Sequence, residues 1–215
     1  MEASTYHRAL AVAGLLFAAL LVAAFMLTSN QVDENASVSS AFAYWTDHKT
    51  AEIISALLLH IASVALVLFG AGLRSRLRGG EGEESAYSVI AFGGSIFAAV
   101  GFVIAAWVGL AAATAADQGS QEAVYTLNQL IAMDWIPFTA GISVMLIAAG
   151  IGGLRTLTLP RVPSWIAIAA GVIALTPFGW GGFVVLPFWV AWVSVILYRG
   201  QPRPSGAVAA AGSPV

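Results

Sequence analysis

The sequence predicts an all-α fold, a polytopic bundle of six membrane-spanning helices in a single domain. Three observations carry that expectation. Of 215 residues, 59% are hydrophobic and only 9% are charged, against about a quarter charged in ordinary soluble domains. Apolar segments recur that approach the ~20 residues a helix needs to cross a bilayer. The basic residues fall between those segments in alternation. A formal net charge of −2 offers no basic face for a phosphate backbone, so nucleic acid is excluded as a partner. The absence of cysteine excludes disulfides, thiolate metal sites and a cysteine nucleophile.

Six segments are expected to span. They run from Ala9 to Leu27, from about Thr50 to Leu73, within Ala86 to Ala116, from Trp135 to Leu154, from Val162 to Phe178 and from Trp180 to Tyr198. The last two are short, carry Pro177 and Pro187, and read as a tight hairpin or a pair of half-spanning segments. The first reads as a retained helix, because its apolar run is longer than the core of a secretory signal. Residues 1–200 then form one transmembrane domain. The Pro, Gly and Ala-rich residues 201–215 are expected to be a disordered cytoplasmic tail.

Orientation follows from charge. With the N-terminus inside, the cytoplasmic segments hold Arg8, then Arg74, Arg76 and Arg78, then Arg155 and Arg161, then Arg199 and Arg203. Only Lys49 falls outside. The topology is therefore N-in and C-in. The loop from Arg74 to Tyr87, basic and then acidic, is expected to be solvated and mobile.

Two longer outer loops are expected to hold short interfacial helices. In Ser29–Lys49, Val38, Phe42 and Trp45 share a helical face; in Asp117–Asp134, Ala123, Leu127, Leu130 and Ile131 do. Simple anchoring on the outer leaflet is the first reading of these helices, and a roof over a cavity between the spans is the second. Within the third span Gly101, Ala105, Gly109 and Ala113 recur every four residues. Such a stripe lets a neighbouring backbone approach closely. It also offers Gly101, Ala105 and Gly109 as a contact for a protein partner or a second copy.

Ionisable residues inside a membrane are functional candidates, and this chain has few. His60 falls near mid-depth of the second span, with Glu52 about two turns nearer its outer end. Trp135 opens the fourth span. These three are the candidate ligand-binding residues, and a neutral His60 bonded to Ser95, Thr139 or Ser143 is the plainer alternative. Asp47, His48, Glu52 and Asp134 lie at outer helix ends, where carboxylate and imidazole groups suit a divalent metal. Asp47 and Asp134 are also natural helix starts. No catalytic residue and no cofactor emerge. Of the three histidines only His60 is deep, which argues against a bis-histidine haem.

The segment Leu159-Pro160-Arg161-Val162-Pro163-Ser164-Trp165, followed by a last span bearing Trp189 and Trp192 and ending in Tyr198-Arg199, resembles small bacterial six-helix membrane proteins grouped as a domain of unknown function. The resemblance implies the fold and a bacterial plasma membrane, and it brings no site residues. Abundant Ala, Gly and Val with a single Lys also suggest a high-GC bacterial genome.

Three functions remain open. The first is a non-enzymatic accessory, regulatory or scaffold module among membrane lipids. The second is a binder or transporter of a small apolar molecule or lipid, through an outward-facing cavity near His60. The third is a membrane enzyme or metal site at Asp47, His48, Glu52 and Asp134.

Overall fold

The computed structural model describes residues 3–28, 32, 36–81, 86–133 and 135–200, with side chains from Arg8 onward in the first helix. The described residues form eight helices and no strand: α1 (Ala3–Leu27), α2 (Val38–Asp47), α3 (Lys49–Glu81), α4 (Ala86–Asp117), α5 (Gln121–Ile131), α6 (Trp135–Thr156), α7 (Arg161–Ala174) and α8 (Gly179–Arg199). The expected disordered tail, 201–215, lies outside the described residues.

Six of these helices close into a ring. Each of α1, α3, α4, α6 and α7 packs against the next in chain order, and α8 returns to α1. Short connections make neighbours antiparallel, the arrangement with the least loop to order. The ring interior is filled by Phe17, Leu66, Phe69, Phe102, Met145 and Trp189, all nearly inaccessible. The outside is apolar as well. Val64, Val100, Trp107, Val172 and Phe188 are each at least half exposed. A bundle hydrophobic all round needs a lipid solvent rather than water.

Five helices are long and apolar enough to cross a membrane, whereas α7 has 14 residues. At ~1.5 Å per residue α7 reaches about 21 Å, short of a ~30 Å hydrocarbon core. Thr176-Pro177 ends it early, because the residue before a proline is pushed out of helical geometry. Its hairpin turn nevertheless sits against the start of α6, since a Cβ on Gly179 would lie 3.1 Å from the Trp135 ring.

One expectation needs correcting at the other end of α3. The helix does not stop at Leu73 and give way to a solvated loop; it continues to Glu81. Leu77 is fully buried there, and Arg76 Nε donates to the Thr158 carbonyl at 3.2 Å, so tertiary contacts hold the extra turns. Glu81 then caps α4 by accepting the Ser88 N–H at 3.0 Å, at the helix end where a carboxylate is favoured.

The small-residue stripe of α4 also divides. The close crossing with α6 uses Gly94, Ala98 and Gly101, not the whole run to Ala113. A Cβ on Gly94 would strike the Met145 backbone, and one on Gly141 would strike the Ala98 backbone. A Cβ on Gly101 would lie 2.6 Å from the Phe138 backbone. Gly101 is therefore occupied within the chain. Gly109 has open space beside it, and Ala113 is covered from the far end of the bundle.

Charge separates the two ends. Arg74, Arg76, Arg78, Arg155, Arg161 and Arg199 stand where α3, α6 and α8 end and α7 begins. Lys49 stands at the opposite end beside α2 and α5, paired with Asp117 of α4.

Candidate functional site under the short helices

The short helices α2 and α5 pack on each other and across the end of α4. They bury a second apolar cluster of Tyr44, Trp45, Ala112, Ala113, Ala116 and Val124. The buried faces overlap the expected ones, with Trp45 buried and Phe42, Ala123, Leu127 and Ile131 packed against the cluster, but their edges shift. In α2, Ala41, Tyr44 and Trp45 turn inward while Val38 is exposed. In α5, Val124 and Asn128 are buried while Leu130 is 53% exposed. The covering contact comes from tightly packed protein, which explains the shift: a face chosen by a neighbouring helix need not be the most apolar one.

Ser37 starts α2 by accepting the Ser40 N–H at 3.2 Å, the usual role of a serine N-cap. The helix stops at His48, whose backbone leaves helical geometry (φ −105°, ψ 6°), and α3 begins at once. That break folds Tyr44 back over the first turn of α3. Its hydroxyl donates to Glu52 Oε1 at 2.6 Å. Its ring stacks on the His48 imidazole, centroids 4.5 Å apart. Burial, and then the Glu52 hydrogen bond and charge, push the Tyr44 phenol above its ordinary range. Glu52 itself is only 6% exposed. A carboxyl at that depth needs a partner, and Tyr44 supplies it.

A second polar pair lies beside the first. Trp45 Nε1 donates to Asn128 Oδ1 at 3.1 Å, linking α2 to α5. Below it, Ser55 Oγ and Thr28 Oγ1 both donate to the Ala24 carbonyl, at 3.0 and 3.3 Å. Between these groups is a cavity of about 50 Å³, bordered by Thr28, Trp45, Glu52, Ser55, Gly109 and Phe138.

The candidate residues scatter. Glu52 borders the cavity, but His60 is on the exposed outer face of α3. Ser95 and Ser143 instead donate to the Phe92 and Thr139 carbonyls of their own helices. Trp135 lies by the α7–α8 turn, 37% exposed. Asp47 and His48 are exposed, and Tyr44 stands between His48 and Glu52. Asp134 lies outside the described residues. Among the described residues no group of three or more His, Asp or Glu is placed to hold a metal.

Tyr44, Asn128, Ser55 and Thr28 were not singled out by the sequence. Asn128 carried the one usable signal, an amide on the same α5 face as Val124 and Ile131. Comparison of the chain with protein-family models, curated proteins and solved structures finds no match.

Proposed function

We propose that this chain is a six-span protein of a bacterial plasma membrane, with both ends cytoplasmic, that works as a non-enzymatic accessory, regulatory or scaffold module. The observation that carries the reading is the state of the Glu52 site. Its hydroxyl and indole donors are engaged within the protein, Tyr44 to Glu52, Trp45 to Asn128, and Ser55 and Thr28 to the Ala24 carbonyl, and its cavity of about 50 Å³ has room for a few waters at most. Small-molecule sites occupy roughly 300–1,000 Å³. A packed bundle with a stapled cap suits a part that holds a shape for something else.

Two observations support the six-span topology. The α7–α8 turn reaches the level of Trp135, and the Phe183 ring of α8 packs edge-on to Phe25, centroids 4.7 Å apart, near the same end of α1. The arginines gather at the opposite end, as cytoplasmic anchors do.

Native mass spectrometry on protein in mild detergent tests the reading. A polypeptide carrying nothing beyond membrane lipid is the expected result. A stoichiometric metal or non-lipid molecule, retained by wild type and lost in Glu52→Gln, would overturn it in favour of a ligand or metal site.

A further inference from the structure

At the end opposite α2 and α5, a groove of about 380 Å³ lies between α3, the α6–α7 connection and the end of α8. It is bordered by Gly72, Ser75, Arg76, Gly79, Thr158 and Leu197. We infer that this groove binds a phosphate group, carried either by an anionic phospholipid headgroup or by a free phosphate compound.

The argument begins with Arg76. Its Nε is fixed by the Thr158 carbonyl at 3.2 Å, which sets the plane of the guanidinium and leaves the remaining donors at the groove. A held planar fork with spare N–H groups matches phosphate oxygens in pairs. Two other arginines near these elements are engaged differently. Arg74 covers the Phe92 ring at 5.6 Å and Arg155 covers Tyr87 at 5.2 Å. The ion pair found among the described residues is at the far end, between Lys49 and Asp117, so no described carboxylate neutralises Arg76.

The rest of the lining fits the same group. Ser75 and Thr158 add polar groups, and Gly79, where a Cβ would meet nothing within 4 Å, keeps a side chain out of the space. The volume exceeds the few waters admitted at Glu52 and falls within the range of small-ligand sites. Depth agrees as well. Arg76 is about 40 Å along α3 from Lys49, at ~1.5 Å per residue. A bilayer measured with its headgroups is ~40–45 Å thick. If Lys49 sits at one lipid surface, Arg76 sits at the phosphates of the other. The orientation proposed above names the leaflet; the groove exists without it.

The test is native mass spectrometry of the full chain in mild detergent, titrated separately with phosphatidylglycerol, phosphatidylethanolamine and inorganic phosphate. Wild type should bind phosphatidylglycerol or inorganic phosphate saturably with one equivalent, and the arm that saturates names the source. Arg76→Gln should weaken that binding about tenfold, the usual scale of a charge-assisted contact. Arg74→Gln, which removes the same charge from the α4-facing side, should not. Gly79→Leu is the second variant. Nothing lies within 4 Å of a Cβ there, so leucine fills the groove without a clash and should also abolish binding. Equal loss in Arg74→Gln and Arg76→Gln would reduce the effect to general basic charge and overturn the inference. So would full binding by folded Gly79→Leu, equal binding of phosphatidylethanolamine, or saturation in no arm.

Discussion

Tyr44 and Glu52 meet at 2.6 Å across the break between α2 and α3. In an unbroken helix, positions eight apart would stand ~12 Å apart along the axis. The non-helical backbone at His48 lets α2 fold over onto α3, and the hydrogen bond closes that fold. Removing only the donor leaves a buried carboxyl without its partner. Tyr44→Phe should therefore destabilise the protein by ~1–3 kcal/mol, seen as a lower unfolding midpoint in detergent. Tyr44→Phe combined with Glu52→Met, which removes both polar groups, should cost less than Tyr44→Phe alone. A double variant as unstable as the sum of its parts would show that the pair does not matter.

The same geometry fixes a pH dependence. The Tyr44 phenol is raised above its ordinary value, so the folded protein favours the neutral form. That stabilisation is complete below the unfolded value of ~10 and is lost as pH rises through the folded value. A phenolate difference spectrum, wild type minus Tyr44→Phe, should stay flat at pH 11 while the protein remains folded. The Tyr44 signal should appear only with alkaline unfolding. A midpoint near 10 in folded protein would contradict the burial.

Glycines of α4 and α6 should differ sharply in what they tolerate. Gly141 and Gly94 face backbone across the α4–α6 crossing, whereas Gly93 and Gly109 face open space. Gly141→Ala and Gly94→Ala should each cost about 1–3 kcal/mol, the range for forced overpacking. Gly93→Ala and Gly109→Ala should be neutral or slightly stabilising, since alanine is the better helix former by ~1 kcal/mol. Unfolding midpoints and monodispersity on size exclusion would separate the two classes. Losses at Gly109 equal to those at Gly141 would place the helix crossing elsewhere on α4.

The sequence and the structure agree where composition is decisive. Long apolar runs between arginines mark α1, α3, α4, α6 and α8, because span length is set by the bilayer rather than by partners. Agreement fails where one helix chooses another's face. Val38 and Leu130 looked like anchors, yet α2 and α5 turn them outward and bury Tyr44 and Asn128 against protein. His60 looked deep and therefore functional. Depth in a span is readable from spacing, but rotation about the helix axis depends on neighbours, and α3 presents His60 outward. Glu52 was legible as a buried acid, while its partner was hidden behind a helix break with no sequence signature.

The short helix α7 gives the sharpest test of topology. At 14 residues it is too brief to cross on its own, yet its turn lies beside Trp135 at the end where α6 begins. Two readings follow. Either α7 with residues 175–178 crosses to the outer surface, or α7 and α8 form a half-depth hairpin that enters and leaves at the arginine end, with α1, α3, α4 and α6 as the four full crossings. The chain contains no cysteine, so single substitutions can be labelled without background. Gln118→Cys at the end of α4 and Gly79→Cys on α3 serve as references for the two sides. With α7 crossing, Pro177→Cys in intact cells should react with a membrane-impermeant maleimide as Gln118→Cys does. Gly79→Cys should react only after permeabilisation. Protection of Pro177→Cys until the membrane is dissolved would mean that the turn stays in lipid. The ~21 Å reach of α7 would then be the true limit, and α8 would have to return to its arginine end from mid-membrane.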